Sequence, residues 1–251
     1  MVRGTYIAGT GMMLQRRHME IITNNIANAD TTGFRKDFLV SHSFDEVMIR
    51  RINDDMAFGQ RAVVGPLNLG TQVDQLYTDF AEGSFDGTER STDLALAGDV
   101  FFVVQTPAGE RYTRNGAFYI DQLGYLVDGE GNFLLGENGP INVGGLNFRV
   151  DQGGEVWVGD QFADRIRVVS FADNATLRKQ GSNLFFSQAG PLPAANPYRV
   201  MQGFLENSNV DIGREMVDML QIFRTYETNQ RMLTMIDESV GKAVTEIGRL
   251  R

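Results

Sequence analysis

Residues 211–251 read DIGREMVDMLQIFRTYETNQRMLTMIDESVGKAVTEIGRLR, and this stretch decides the fold. Residues without charge recur in it every seven positions and again three residues after each of those, while charged residues fall between them. We call this series the seam, and its members are Met219, Ile222, Tyr226, Asn229, Leu233, Ile236, Val240, Ala243, Ile247 and Leu250. A heptad repeat sustained over this length predicts a long helix that packs in a coiled coil.

A second amphipathic segment at the other end of the chain offers a partner for this helix. A helix over 211–251 would be about 60 Å long, more than a core of this size can cover. The N-terminal stripe has the same spacing of three and four residues, although it is weaker, and it consists of Thr5, Ala8, Met12, Gln15, Met19, Ile22, Ile26 and Ala29. We expect an N-terminal helix that forms when packed and stops near Gly33.

The middle of the chain is crowded with residues that form turns. All six prolines lie between residues 66 and 197, and 17 of the 28 glycines lie between residues 83 and 190. Short apolar runs separated by Asn-Gly, Asp-Gly and Gly-Gly pairs predict strands at residues 100–104, 111–113, 117–120, 155–158 and 166–171. The predicted class is therefore α+β, with a central all-β antiparallel domain and long N- and C-terminal helices that pair as a coiled coil.

These patterns predict four parts along the chain. Residues 1–35 form an N-terminal helical segment, residues 36–82 an extended linker, residues 83–205 the central β domain, and residues 206–251 the C-terminal coiled-coil helix.

Composition excludes several classes of function. The chain of 251 residues has 23 Lys and Arg against 32 Asp and Glu, a net charge of -9, which argues against nucleic acid and anionic membranes. We expect no membrane insertion, because no apolar run approaches about 18 residues. The absence of cysteine excludes disulfides and thiolate metal sites. Without the apolar segment of a signal peptide at the N-terminus, we expect a cytoplasmic protein or one exported by another route.

Residues that could carry catalysis are few. Asp128-Gly-Glu-Gly-Asn132 has some oxygen ligands of a calcium loop, but Phe133 and Gly139 occupy its glycine and glutamate positions, so we predict a hairpin turn. His18 and His42 are expected to be packed or solvated, and the pair Asp54 and Asp55 to lie on a solvated face. We therefore expect no catalytic residue, no metal and no cofactor.

Three asparagines stand at the predicted end of the N-terminal helix. Asn24, Asn25 and Asn28 have two interpretations. Spacing alone favours local capping, because asparagine tolerates a helix end. The alternative is a set of amides that bind across a repeated contact between subunits.

Longer motifs carry a resemblance to a known family. The stretch NNIANADTTGFR at residues 24–35 resembles the N-terminal signature of bacterial flagellar axial proteins, the rod, hook and hook-associated proteins. DLALAGDVFFVV at residues 93–104 and YTRNGAF at residues 112–118 are similar to the core of the rod and hook subset. ENSNVD at residues 206–211 resembles the segment that enters the terminal helix in that family.

The resemblance implies a non-enzymatic structural subunit of the flagellar basal-body rod. Such a subunit polymerises into the drive shaft, transmits torque from motor to hook and encloses the export channel. It implies export through the flagellar type III apparatus without a cleaved signal peptide, and assembly with copies of itself and with homologous rod and hook subunits. The expected assembly interface consists of Met12, Met19, Ile22, Asn24, Asn25, Ile26, Asn28, Thr32, Gly33, Phe34, Met219, Ile222, Tyr226, Asn229, Leu233, Ile236, Val240 and Ile247.

Alternatives remain at two levels. Within the family, the short linker at residues 36–82 favours a proximal rod subunit, whereas residues 70–73 and 79–84 resemble distal-rod sequences. Outside the family, the same patterns fit a β-domain binding module on an autonomous coiled-coil stalk. A hydrolase of cell-wall glycan is a third hypothesis, and it has no separate catalytic domain to support it.

Overall fold

The computed structural model describes residues 2–50, 63–145, 147–181, 183–187, 190–194 and 197–249. The chain divides into two units, which are described separately. Unit 1 comprises Met1–Asn24, Asp37–Tyr77 and Gly213–Arg251, and unit 2 comprises Asn25–Lys36 and Thr78–Ile212. The helices are α1, Val2–Ala27, and α2, Ile212–Gly248.

Unit 1 combines most of both helices with two small sheets. Its strands are β1 (Asp37–Ser43), β2 (Val47–Arg50), β3 (Val63–Leu67) and β4 (Thr71–Thr78). Strand β1 pairs with β4, and β2 pairs antiparallel with β3. The inward face of α1 buries Ala8, Leu14 and Ile22. The strands that form within the predicted linker therefore belong to the same unit as most of the two helices.

Unit 2 holds the remaining sixteen strands that the described residues form. They are β5 (Phe85–Gly87), β6 (Leu94–Ala97), β7 (Phe101–Thr106), β8 (Gly109–Thr113), β9 (Tyr119–Ile120), β10 (Leu126–Val127), β11 (Phe133–Leu134), β12 (Phe148–Val150), β13 (Glu155–Val158), β14 (Gln161–Arg165), β15 (Val168–Ser170), β16 (Leu177–Gln180), β17 (Leu184–Ser187), β18 (Leu192–Pro193), β19 (Arg199–Gln202) and β20 (Phe204–Glu206). A 3-10 turn, Asn174–Thr176, precedes β16.

Strand β7 is the centre of unit 2, and it pairs antiparallel with β8, β11 and β15. Successive side chains of a strand point to opposite faces, so its run of apolar residues supplies two cores. Phe102 and Val104 belong to the larger core, with Phe118 and Leu126. Phe101 and Val103 belong to a second core on the other face, which is rich in aromatic residues. A strand buried on both faces explains a run without alternation.

The last strands of unit 2 return to its beginning. Strand β19 pairs antiparallel with β6, and β20 pairs antiparallel with β5. The residues just before α2 are therefore held against the first strands of the unit.

The α+β class predicted from the sequence is confirmed, with a helix at each end and antiparallel strands between. The five predicted strands appear as β7, β8, β9, β13 and β15, and residues 128–132 form the predicted turn between β10 and β11. The predicted N-terminal helix ends at Ala27, slightly earlier than expected. The fourfold division of the chain and the coiled-coil pairing stay predictions. Asp54 and Asp55 lie outside the described residues.

Candidate functional site

The motif after α1 turns the chain and docks it in unit 2. Backbone hydrogen bonds run from Asn28 N to Asn25 O and from Thr31 N to Asn28 O, and they make the turn. Thr32 Oγ1 then donates to Asn115 Oδ1 at 2.7 Å, and the ring of Phe34 is almost fully buried. The segment thus becomes part of the packed unit.

Gly33 occupies a position in this segment that admits no side chain. Its φ of +67° lies in the left-handed region, and a Cβ would lie 2.5 Å from the carbonyl carbon of Arg114. Its own N–H donates to the carbonyl oxygen of Glu206 at 2.8 Å. Only glycine allows the backbone to approach this closely and bond to β20.

Directly after Phe34, the chain places Arg35 in a buried group of ions. Arg35 Nη2 donates to Glu206 Oε1 at 2.5 Å, and both side chains are fully buried. Arg114 Nη1 lies 3.5 Å from Glu206 Oε2, with 1% of its side chain exposed. We call Arg35, Arg114 and Glu206 the ion triad. It joins the segment after α1 to the strand before α2.

The ion triad is held by further hydrogen bonds, as buried charges require. Gly83 N donates to Glu206 Oε1 at 3.1 Å. Arg114 also donates to Leu96 O at 2.8 Å and to Gly98 O at 2.5 Å. Burial lowers the pKa of Arg114, and the charge of Glu206 opposes that shift. Glu206 therefore stabilises a guanidinium that has been removed from water.

The three asparagines of the motif differ in exposure. Asn24 is exposed, Asn28 is half-buried and Asn25 is buried. Backbone carbonyls of Asn25 and Asn28 close the turn that ends α1. Contacts of these residues between copies stay a prediction, as they do for Thr32, Gly33 and Phe34, which pack within the chain. The structure binds Gly33 to Glu206, a residue that was not among the expected interface positions.

The seam of α2 is the more covered face of that helix. Its half-buried members are Met219, Ile222, Tyr226, Asn229, Leu233, Ile236 and Ala243. Two glycines of α1 approach it, since a Cβ on Gly4 would lie 3.2 Å from Ile236 Cδ1 and one on Gly11 would lie 3.2 Å from Asn229 Nδ2. Val240 is exposed, and the side chain of Ile247 lies outside the described residues.

Most of the expected interface residues of α1 are partly exposed to solvent. Met12, Met19 and Ile26 are half-buried, whereas Ile22 is buried. The face of α1 predicted from spacing therefore points inward for most of its length.

A second apolar face of α2 was not predicted. Met216, Val217, Leu220 and Phe223 are between 49% and 62% exposed, and we call them the outer stripe. Large apolar side chains that are grouped and exposed mark surfaces for protein contacts. The signal in the sequence was the spacing of Met216, Leu220 and Phe223 by four and three residues, which the stronger heptad pattern concealed.

Catalytic chemistry has little support in the part of the chain that is described. There, no group of three or more His, Asp or Glu side chains is placed to hold a metal ion. Burial lowers the pKa of His18, and a hydrogen bond with the backbone of Leu39 acts in the opposite direction. His42 Nε2 lies 2.5 Å from Gln72 Nε2 and is exposed. Neither described helix has the length and apolar character needed to cross a membrane.

The chain has a β unit and a long helix at each end, and α2 exposes large apolar side chains. These features are typical of proteins that assemble with other chains. Comparison with known protein families narrows this class. Residues 6–35 match the family described as flagella basal body rod protein, and residues 95–158 match the flagellar hook protein FlgE/F/G D1 domain. Residues 201–246 match the flagellar basal body rod FlgEFG protein C-terminal family.

Individual relatives extend over the whole chain. The flagellar hook-basal body complex protein FlhO of Bacillus subtilis (strain 168) is 31% identical over 270 residues, covering 100% of both chains. The flagellar basal-body rod protein FlgG of the same organism is 32% identical, covering 97% of this chain and 98% of its own. The flagellar basal-body rod protein FlgF of Caulobacter vibrioides is 31% identical and covers 98% of each chain.

The chain belongs to the flagellar basal-body rod protein family. It is a structural subunit of the flagellar rod, which lies in the basal body of the flagellum. The resemblance drawn from residues 24–35, 93–118 and 206–211 is confirmed.

Proposed function

We propose that this chain polymerises through its terminal helices into the rod, the helical shaft that transmits torque from motor to hook and encloses the export channel. The outer stripe carries the proposal. Four large apolar side chains are exposed to water on one stretch of α2, and this exposure costs roughly 25 cal/mol of free energy for each Å² left uncovered. A neighbouring subunit that covers the stripe removes this cost.

The seam supplies the second part of the proposal, a coiled-coil pairing of α1 with α2. The close approach of Gly4 and Gly11 to Ile236 and Asn229 supports it, because small residues let two helices pack closely. The seam residues are half-buried, so their exposed edges remain available to other subunits together with the outer stripe. Two apolar faces, one internal and one external, suit an open helical assembly.

The proposed interface includes the residues expected from the sequence and adds the outer stripe. On α1, Met12, Met19 and Ile26 contribute, together with Asn24 at the exposed end of the helix. The partners are further copies of this chain and homologous rod and hook subunits. The chain is proposed to reach them through the flagellar type III export apparatus.

Its position in the rod is proposed to be proximal. The support is the length of the linker expected at residues 36–82, which is short for a distal subunit by our expectation. The distal position is the alternative, supported by residues 70–73 and 79–84, which resemble distal-rod sequences.

Sedimentation and electron microscopy of the purified chain test this proposal against a stalked binding module. We expect a monomer in dilute solution and open polymers of unlimited length at high concentration. A discrete dimer or trimer that does not grow with concentration would contradict polymerisation and favour the stalked module.

A further inference from the structure

The chain passes between its two units at four places, after residues 24, 36, 77 and 212. Three of these passages lie within three residues of a hydrogen-bonded cluster inside unit 2. The cluster consists of Lys36, Asp79, Ala81 and Asn209, and we call it the junction. Lys36 directly precedes the second passage, Asp79 follows the third, and Asn209 precedes the fourth.

One side chain closes the junction. Asn209 Oδ1 accepts a hydrogen bond from Lys36 N at 2.8 Å. Asn209 Nδ2 donates to Asp79 O at 2.9 Å and to Ala81 O at 3.2 Å. A carboxamide carries one acceptor and two donors, and all three are used here. An aspartate at position 209 would keep the acceptor and lose both donors, and an alanine would lose the acceptor and the donors.

The backbone completes the same cluster. Asp79 N donates to Lys36 O at 2.9 Å, so Lys36 and Asp79 are joined directly as well as through Asn209. An ion pair of 3.9 Å between Lys36 Nζ and Asp79 Oδ2 adds to this connection. Segments that are distant in sequence are therefore fixed at one point.

The segment that follows the first passage is bound to a residue near the junction. The segment that follows residue 24 is bound through Gly33 N to Glu206 O and through Arg35 to the carboxylate of Glu206. Glu206 lies three residues before Asn209 on the same stretch of chain. Three passages therefore lie within three residues of the junction, and the segment that follows the first passage is bound to the same stretch of chain that carries Asn209.

We propose that Asn209 is a positioning residue that makes these passages act as one attachment. The inference rests on the proposed function, because a rotating shaft puts load on the chain where it passes from one unit to the other. With Asn209 in place, the stretch before the fourth passage is bound to the residues at the second and third passages. Without it, Lys36 and Asp79 stay joined by their backbone bond and ion pair, while the stretch before the fourth passage loses its bonds to them and becomes more compliant.

Hydrogen exchange of single amides in the full chain tests this role, using Asn209→Ala, Asn209→Asp and the matched control Asn207→Ala. The control also removes an asparagine amide, but among the described residues the Asn207 side chain bonds to Ser84 and Asp86, outside the junction. In Asn209→Ala the Lys36 amide loses its acceptor, and we expect its exchange to rise about ten-fold, the effect of losing one hydrogen bond. The Asp79 amide bonds to Lys36 O, so it should exchange faster as the Lys36 segment loosens. Asn209→Asp keeps the acceptor and loses both donors, so the Lys36 amide should stay more protected than in Asn209→Ala.

Two results would overturn the proposal. In the first, the amides of Lys36 and Asp79 exchange in Asn209→Ala at the same rate as in the wild-type protein or in Asn207→Ala. The other is an equal rise at the amides of β7, which would mean that Asn209 supports the stability of all of unit 2.

Swimming of cells that carry each variant gives a functional readout under increasing medium viscosity. We expect Asn209→Ala to lose speed more steeply with viscosity than Asn207→Ala, at equal numbers of assembled flagella. Equal curves would overturn the positioning role and leave the rod function standing. Full motility after deletion of the whole gene would instead contradict the proposed function itself.

Discussion

Gly33 has a left-handed backbone, and a side chain at this position would overlap the backbone of Arg114 and Asn115. Mutation can separate the effects of these two constraints. Gly33→Ala should destabilise unit 2 by about 1 kcal/mol for the backbone and roughly 1–3 kcal/mol more for the overlap with Arg114. Gly144→Ala is the matched control, because Gly144 has a φ of +64° and open space around its Cβ position. Urea unfolding of both variants gives the difference, and equal losses would show that the contact is unimportant.

Glu206 holds two buried guanidinium groups, so removal of its charge leaves them uncompensated. We expect Glu206→Gln to lower the free energy of unfolding of unit 2 by about 3–5 kcal/mol. Glu155→Gln removes a carboxylate from the solvent-exposed ion pair of 2.6 Å with Arg165 and should cost far less, because water screens an exposed pair. Similar losses in the two variants, measured by denaturant unfolding, would rule out a special role for the ion triad.

His18 makes unit 1 sensitive to acid. Burial lowers its pKa below the usual 6.5, so the folded state binds fewer protons than the unfolded state near that pH. Stability from this group is therefore complete above pH 6.5 and falls as the pH drops toward the folded-state pKa. Denaturant unfolding at pH 7.5 and at mildly acidic pH should show a decline that is smaller in His18→Gln. A decline in His18→Gln equal to that of the wild-type protein would contradict this assignment.

At the scale of the element, α2 has two apolar faces with different uses. Leu220→Asp places a charge on the outer stripe, where it meets water in the monomer and an apolar partner in a polymer. We expect unchanged helicity and unfolding of the monomer, with polymer formation lost, because a buried unpaired carboxylate costs several kcal/mol. Ser239→Asp adds the same charge at an exposed polar position of α2 and should polymerise normally.

The seam responds differently from the outer stripe. Leu233→Asp changes a half-buried position, so it should lower the helicity of the monomer as well as stop its assembly, while unit 2 stays folded. Circular dichroism and sedimentation separate the two effects. A Leu220→Asp protein that still forms polymers would show that the outer stripe is not a subunit contact.

The periodicity of residues 211–251 was sufficient to predict α2, and the run at residues 100–104 was sufficient to predict β7. Both signals are local, since they depend on which face of one element is buried. The ion triad could not be predicted in this way. Arg35, Arg114 and Glu206 are far apart in the sequence, and contacts between distant segments place Glu206, among them the pairing of β20 with β5 and the bond from Gly33 N to Glu206 O. The strands at residues 37–78 also escaped prediction, because their exposed apolar residues lack a regular alternation.

At the scale of the whole molecule, the family and the exposed helix faces lead to one central claim, that this chain is a building block of the rod. Two motifs separated by some 170 residues bind to each other inside unit 2, one after the end of α1 and the other before the beginning of α2.

Mass spectrometry and immunogold labelling of purified hook–basal bodies from the source organism test this claim most directly. We expect the chain to be present in a fixed copy number, with label confined to the rod and nearer to the motor than to the hook. Label at the hook end of the rod would place the subunit distally. Absence of the chain from these particles would contradict the claim that it is a rod subunit.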